Sequence, residues 1–241
     1  MRSTRARIGT VALALGLAVA SAALAGARLE CRAPEPVCAA RASVFAIASF
    51  DEGSATLIAP GLLVTNRHNV ADNPEVEVID GDGRRRQGRV VPTAYPGDLV
   101  LIEVPGLDGP ALAPAPPGTA VSGDLYTVAA DVRLGLIRAY PPGRLMAPLA
   151  PGRPLAHLHS TAYSQYGNSG GALVDVAGRL VGIVTSGGEG RYAAVPAGEI
   201  ARLRAQSGPR FAAESRRLGA AYGRCKRALD GRGPAPSTRS S

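Results

Sequence analysis

The chain has no tryptophan, three phenylalanines and a single lysine, Lys226, against 30 glycines and 20 prolines. No cluster of stacking aromatics accompanies the basic residues. Although the formal charge is +8, the arginines are scattered, apart from Arg84-Arg85-Arg86 and the C-terminal stretch, and no nucleic-acid partner is expected. Histidine is equally scarce, with only His68, His157 and His159. No metal-ligand spacing and no phosphate-cradling loop is present, so neither a metal nor any other cofactor is expected. Cys31, Cys38 and Cys225 are an odd number, which leaves one thiol free or paired between chains. A Cys31–Cys38 bond would close a short loop; a bond from either to Cys225 would tie the N-terminal segment to the C-terminal helix. Long helical periods are missing between residues 43 and 195, which excludes folds that alternate strands with long helices.

What is present is a series of short apolar or alternating runs, at 43–49, 54–58, 62–65, 75–80, 86–91, 99–104, 124–129, 132–138, 172–176, 179–185 and 191–195. Glycine, proline and aspartate separate them, and many short strands with turn signals argue for an all-β barrel or sandwich. The stretch 105–118 is too rich in proline for a central strand and reads as a connection. A short helix is expected at 197–206 with Ile200 and Leu203 facing the sheet. A second, over 211–229, places Phe211, Leu218, Tyr222, Cys225 and Leu229 on one apolar face.

Against this background, Gly167-Asn168-Ser169-Gly170-Gly171 sets one serine on a tight loop. A serine hydroxyl is a poor nucleophile unless a base lies within hydrogen-bond reach and donors face the oxyanion formed on attack. His68 follows the run Leu62-Leu-Val-Thr65 just past a strand end, where a sheet can hold its ring against a cleft. His157 and His159 alternate on one strand face and read as a rim. Asp98 opens the buried-looking run Asp98-Leu-Val-Leu-Ile and is costly there without a partner, which makes it the candidate acid. Asp72, Asp80, Asp82 and Asp108 lie in polar or glycine-rich loops. No histidine follows Ser169, so the α/β-hydrolase order fails. The subtilisin order, which Asp51 would complete, needs long helices that are missing; His68, Asp98, Ser169 is the chymotrypsin order.

Thr65-Asn-Arg-His68, Asp98-Leu-Val-Leu-Ile and Gly167-Asn-Ser169-Gly-Gly-Ala-Leu resemble the three signature segments of trypsin-like serine peptidases, in their bacterial, high-temperature-requirement-like branch without a PDZ domain. The resemblance covers roughly residues 40–205. It implies two six-stranded-type antiparallel β-barrels with the active site in the cleft between them, plus C-terminal helices. It also implies His68 as general base, Asp98 as its orienter, Ser169 as nucleophile, and the backbone N–H groups of Gly167 and Ser169 as oxyanion hole. By position, Tyr163, Tyr166, Val184, Thr185, Ser186 and Gly187 would line the substrate pocket. No acid stands at the pocket floor, where Tyr163 falls, so a small or medium apolar side chain is expected there. Where digestive members carry an aspartate that pairs with a freed N-terminal amine, this chain has Asn168, so activity is expected not to depend on one particular N-terminus.

Arg2, Arg5 and Arg7 precede an apolar stretch from Ile8 to Ala25 that ends in small residues at cleavage-rule spacing. This reads as a signal peptide at 1–27 and a secreted or periplasmic protein, with no stable membrane insertion unless the signal stays uncleaved. The remaining boundaries are an N-terminal segment at 28–39, a peptidase domain at 40–206 (barrels at about 40–106 and 119–206), a C-terminal helix at 207–230 and a disordered tail at 231–241. The expected function is an exported serine endopeptidase acting on protein or peptide. The alternative is a secreted trypsin-like binding module with little or no turnover.

Overall fold

In a computed structural model that describes residues 30–115, 121–147, 155–229 and 231, the apolar runs become short antiparallel strands. The expected signal at 1–27 and the tail beyond 231 lie outside the described residues. A one-turn helix α1 (Glu35–Ala39) and a 3-10 turn (Ala40–Ser43) lead into β1 (Val44–Ala48), β2 (Glu52–Ala59) and β3 (Leu62–Thr65). The short helix α2 (Arg67–Val70), β4 (Glu75–Ile79), β5 (Arg85–Val91) and β6 (Val100–Glu103) follow. These six strands close into a barrel in the order β1-β2-β3-β6-β5-β4. Alternation decides its interior: Phe45 and Ile47, Val76 and Val78, and Val100 and Ile102 fill one core with Ala55, Leu57 and Leu63.

The second half contains β7 (Leu125–Asp131), β8 (Leu136–Ala139), β9 (Leu158–Ser160), β10 (Ala172–Asp175), β11 (Leu180–Gly188) and β12 (Arg191–Pro196), in a six-stranded sheet of order β8-β7-β10-β11-β12-β9. Past β8 the chain bridges Leu125 through Gly143 and Ser160 through Leu145, which carries the sheet round from β7 toward its far edge strand β9. Leu125 and Leu173 point to this sheet's own core, with Leu158 and Val181. Tyr126, Val128, Ala172 and Val174 point the other way and join Val64, Leu99 and Leu101 of the barrel in one shared core. Strand β7 is buried along its whole length because both of its faces are covered.

Three sequence expectations change. The run 132–138 is not one strand: residues 131–135 turn, with Asp131 accepting the Leu134 N–H on its side chain and the Gly135 N–H on its carbonyl, and Gly135 at φ 65°. Helix α3 (Glu199–Ala205) buries Ile200 and Leu203 in the shared core rather than against the second sheet alone. Helix α4 (Ala212–Leu229), entered through a 3-10 turn (Pro209–Phe211), does not bury the expected apolar face. Leu229 is 80% exposed and Cys225 is exposed and free, whereas the buried positions are Gly219 and Gly223. A Cβ at Gly219 would run into the Ala71 carbonyl, so α4 lies on backbone at the end of α2, which only a residue without a side chain can approach so closely. The disulfide is Cys31–Cys38.

Candidate active site

Strand register brings the imidazole and the acid together. Thr65 of β3 pairs with Val100 of β6, so Asp98, two residues before Val100, lies beside His68, three residues after Thr65. His68 Nδ1 is 2.7 Å from Asp98 Oδ2, and the His68 backbone N–H donates to Oδ1 at 3.1 Å. A carboxylate only accepts, so Nδ1 carries the proton of this bond, and in the neutral imidazole Nε2 is left with its lone pair. Thr185, on β11 of the other half, donates its hydroxyl to the same Oδ2 at 2.8 Å. Asn66, at the start of α2, caps nothing; its Nδ2 donates to the Asp98 carbonyl at 2.8 Å.

The serine loop is held from the first barrel. Ser54 Oγ accepts the Ala130 N–H at 2.9 Å and donates to the Gly167 carbonyl at 2.8 Å. The Ser169 carbonyl accepts from the Ser54 N–H at 2.7 Å and from Asn69 Nδ2 at 2.9 Å, and Thr56 Oγ1 donates to the Gly170 carbonyl at 3.0 Å. The N–H groups of Gly167 and Ser169 have no acceptor among the described residues. Gly170 at φ 90° must be glycine, since a Cβ would meet the Ser54 carbonyl. The Ser169 hydroxyl donates to the Thr185 carbonyl at 2.6 Å, so its proton must leave that bond before it can turn toward His68.

Asn168 is fully buried and satisfied within the loop's surroundings. Its amide donates to the Ala130 carbonyl at 2.8 Å and the Tyr140 hydroxyl at 3.0 Å, and its oxygen accepts the Gln165 N–H at 2.8 Å. Burial pushes the Tyr140 hydroxyl up to about 12, which keeps it protonated and able to donate in turn.

Of the expected pocket residues, Ser186 and Gly187 are exposed on β11, while Val184 and Thr185 are buried. Thr185 thus serves the acid rather than a wall. Tyr163, 41% exposed, packs its ring 5.9 Å from Tyr140 and 5.7 Å from Tyr192 of β12. Tyr166 turns to the first barrel and bonds Asp51. His157 is exposed and His159 half-buried, both away from the His68 pair; burial, then Arg191 and His157, holds the His159 imidazole below its ordinary range. Among the described residues, no three His, Cys, Asp or Glu side chains converge to hold a metal ion. Sequence reasoning missed Ser54, Thr56, Asn69, the bond of Asp51 to Tyr166 and the bond from Thr185. The available signal was Ser54 and Thr56, hydroxyls set among the apolar and small residues of β2.

A family model described as "Trypsin-like peptidase domain" matches residues 53–183. The "Probable serine protease do-like" of Buchnera aphidicola subsp. Acyrthosiphon pisum is 32% identical over 157 residues, 61% of this chain and 33% of that protein. The "Periplasmic serine endoprotease DegP" of Salmonella typhimurium is 30% identical over 166 residues, 64% of this chain and 35% of that one. The chain thus spans about a third of the length of these curated relatives. Among solved structures, the active form of Rv3671c protease from M. tuberculosis superposes with a TM-score of 0.59 at 26% identity, over 71% of this chain and 83% of that one. The "HtrA-type protease AlgW with tripeptide" gives 0.62 at 25% identity, over 70% and 61%.

Proposed function

Because the chain belongs to the trypsin-like peptidase family, we propose that it is an exported serine endopeptidase with His68, Asp98 and Ser169 as its triad. The observation that carries this reading is the His68–Asp98 pair at 2.7 Å, braced from the opposite half by Thr185. Once its hydroxyl swings off the Thr185 carbonyl, Ser169 Oγ attacks the scissile carbonyl carbon and its proton passes to His68 Nε2. Asp98 stabilises the resulting imidazolium. The carbonyl oxygen becomes an oxyanion facing the N–H groups of Gly167 and Ser169, an arrangement in which one donor is worth about 10²–10³ in rate. Collapse breaks the C–N bond, the leaving amine takes the proton from His68, and water repeats the sequence on the acyl-enzyme. Tyr163, packed against Tyr192, stands where an acid would select a basic side chain, so a small or medium apolar side chain is the proposed preference.

Export is supported by the basic and then apolar first 27 residues and by relatives whose names carry "periplasmic". No helix among the described residues is long and apolar enough to cross a membrane. The substrate class is protein or peptide. A second reading, a binding module with little turnover, is favoured by one observation, the Ser169 hydroxyl bonded to the Thr185 carbonyl.

The test is a fluorophosphonate probe on the purified protein, wild type beside Ser169→Ala, read by intact mass. One stoichiometric adduct on the wild type that the variant lacks is expected. A well-folded wild type without adduct would transfer the case to the binding module.

A further inference from the structure

Three residues distant in sequence meet beside the serine loop. Tyr166, immediately before Gly167, is 56% exposed, and its hydroxyl donates to Asp51 Oδ1 at 2.6 Å. Asp51 sits in the turn between β1 and β2. Its Oδ2 is 2.8 Å from Lys226 Nζ of α4, and its N–H donates to the Asn69 carbonyl at 2.9 Å. The ion pair is largely sheltered, with side-chain exposures of 22% for Lys226 and 18% for Asp51. Lys226 is the only lysine in a chain that otherwise uses arginine for positive charge. A compact ammonium concentrates its charge on one point, as a single carboxylate oxygen requires.

The position matters because of what Gly167 lacks. Its carbonyl is fixed by Ser54, but its N–H has no acceptor among the described residues. That N–H belongs to the peptide plane joining Tyr166 to Gly167, whose orientation is set by ψ of Tyr166 and φ of Gly167. Gly167, at φ 88°, tolerates many values and restrains little. Tyr166, with more than half its surface in solvent, is restrained mainly by its bond to Asp51. Burial raises the Asp51 carboxyl, but Lys226, Tyr166 and the Glu52 N–H outweigh it and hold the group ionised, so the acceptor persists at neutral pH.

We propose that Lys226, Asp51 and Tyr166 form a positioning strap that keeps the Gly167 N–H aimed into the cleft, so that the C-terminal helix governs the oxyanion site without touching the reacting atoms. This rests on the reading of Ser169 as nucleophile. The strap spans three elements: α4 supplies the cation, the β1–β2 turn the anion, and the serine loop the hydroxyl. It joins the two halves of the fold.

The experiment measures fluorophosphonate labelling kinetics of the full chain for wild type, Tyr166→Phe, Lys226→Met and the double variant, with thermal midpoints alongside. Tyr166→Phe removes one oxygen from an exposed ring and leaves the fold intact. The expected result is a limiting labelling rate about tenfold or more below wild type, with the half-saturating probe concentration and the midpoint little changed. The double variant is expected to be no slower than Tyr166→Phe alone, because both substitutions open the same strap. Labelling of Tyr166→Phe as fast as wild type, or faster as a bar across the cleft would give, overturns the proposal. So do losses that multiply in the double variant. A wild type that takes no label overturns the nucleophile reading and the strap with it, whereas a labelled wild type beside an equally fast Tyr166→Phe overturns the strap alone.

Discussion

Ser54 shows how much one hydroxyl can settle at the residue scale. Fully buried in β2, it accepts from Ala130 of the second sheet and donates to Gly167 of the serine loop, so one atom fixes both the docking of the halves and the carbonyl beside the proposed oxyanion donors. Ser54→Ala leaves a buried N–H and a buried carbonyl without partners, each worth about 1–3 kcal/mol. A loss of about 2–4 kcal/mol in urea unfolding is expected, with slower labelling at Ser169. A loss below about 0.5 kcal/mol would mean that water or relaxation replaces the hydroxyl. The three proposed triad residues were legible because histidine is rare and chain order discriminates among folds. Ser54, Thr56, Asn69 and Asp51 were not, since a polar residue in a strand or turn has no local signature. Their partners, up to 115 residues away, exist only once the two halves are in register.

At the scale of elements, strands were easier to read than helices. Alternation and glycine-marked turns located most of the barrel, and the 131–135 turn was missed because Val132 continues the apolar run while the turn is made by Asp131 and Gly135. The error in α4 has a different origin. Hydrophobic periodicity weighs side-chain volume, whereas α4 docks where volume is missing, with Gly219 and Gly223 against Ala71. Gly219→Ala therefore sets two effects against each other: up to about 1 kcal/mol gained in helix propensity and about 1–3 kcal/mol lost to overlap with the Ala71 backbone. Overlap is expected to win, because carbonyl backbone cannot step aside as a flexible side chain would. A lower melting temperature and slower Ser169 labelling are the expected readouts. A higher melting temperature would show that α4 does not rest on α2.

For the molecule as a whole, Asn168 decides what the N-terminus must do. Its amide is saturated by Ala130, Tyr140 and Gln165, so no newly released amine is needed to order the loop. Versions beginning at residues 28, 29 or 30 are expected to label Ser169 at equal rates. One beginning at Ala40 is expected to unfold at a lower temperature, because it loses Val37, which is fully buried in the shared core. Activity restricted to a single starting residue would refute the role given to Asn168.

The chain order of the site has a consequence for synthesis. All six strands of the closed barrel, and both His68 and Asp98, lie within the chain up to Glu103. Ser169 and Thr185, the proposed nucleophile and the second brace on Asp98, are translated tens of residues later, and Lys226 after both. A chain that stops short of Ser169 thus carries the proposed base with nothing to activate. On the proposed reading, the order of translation alone withholds the nucleophile until the second half of the fold is made.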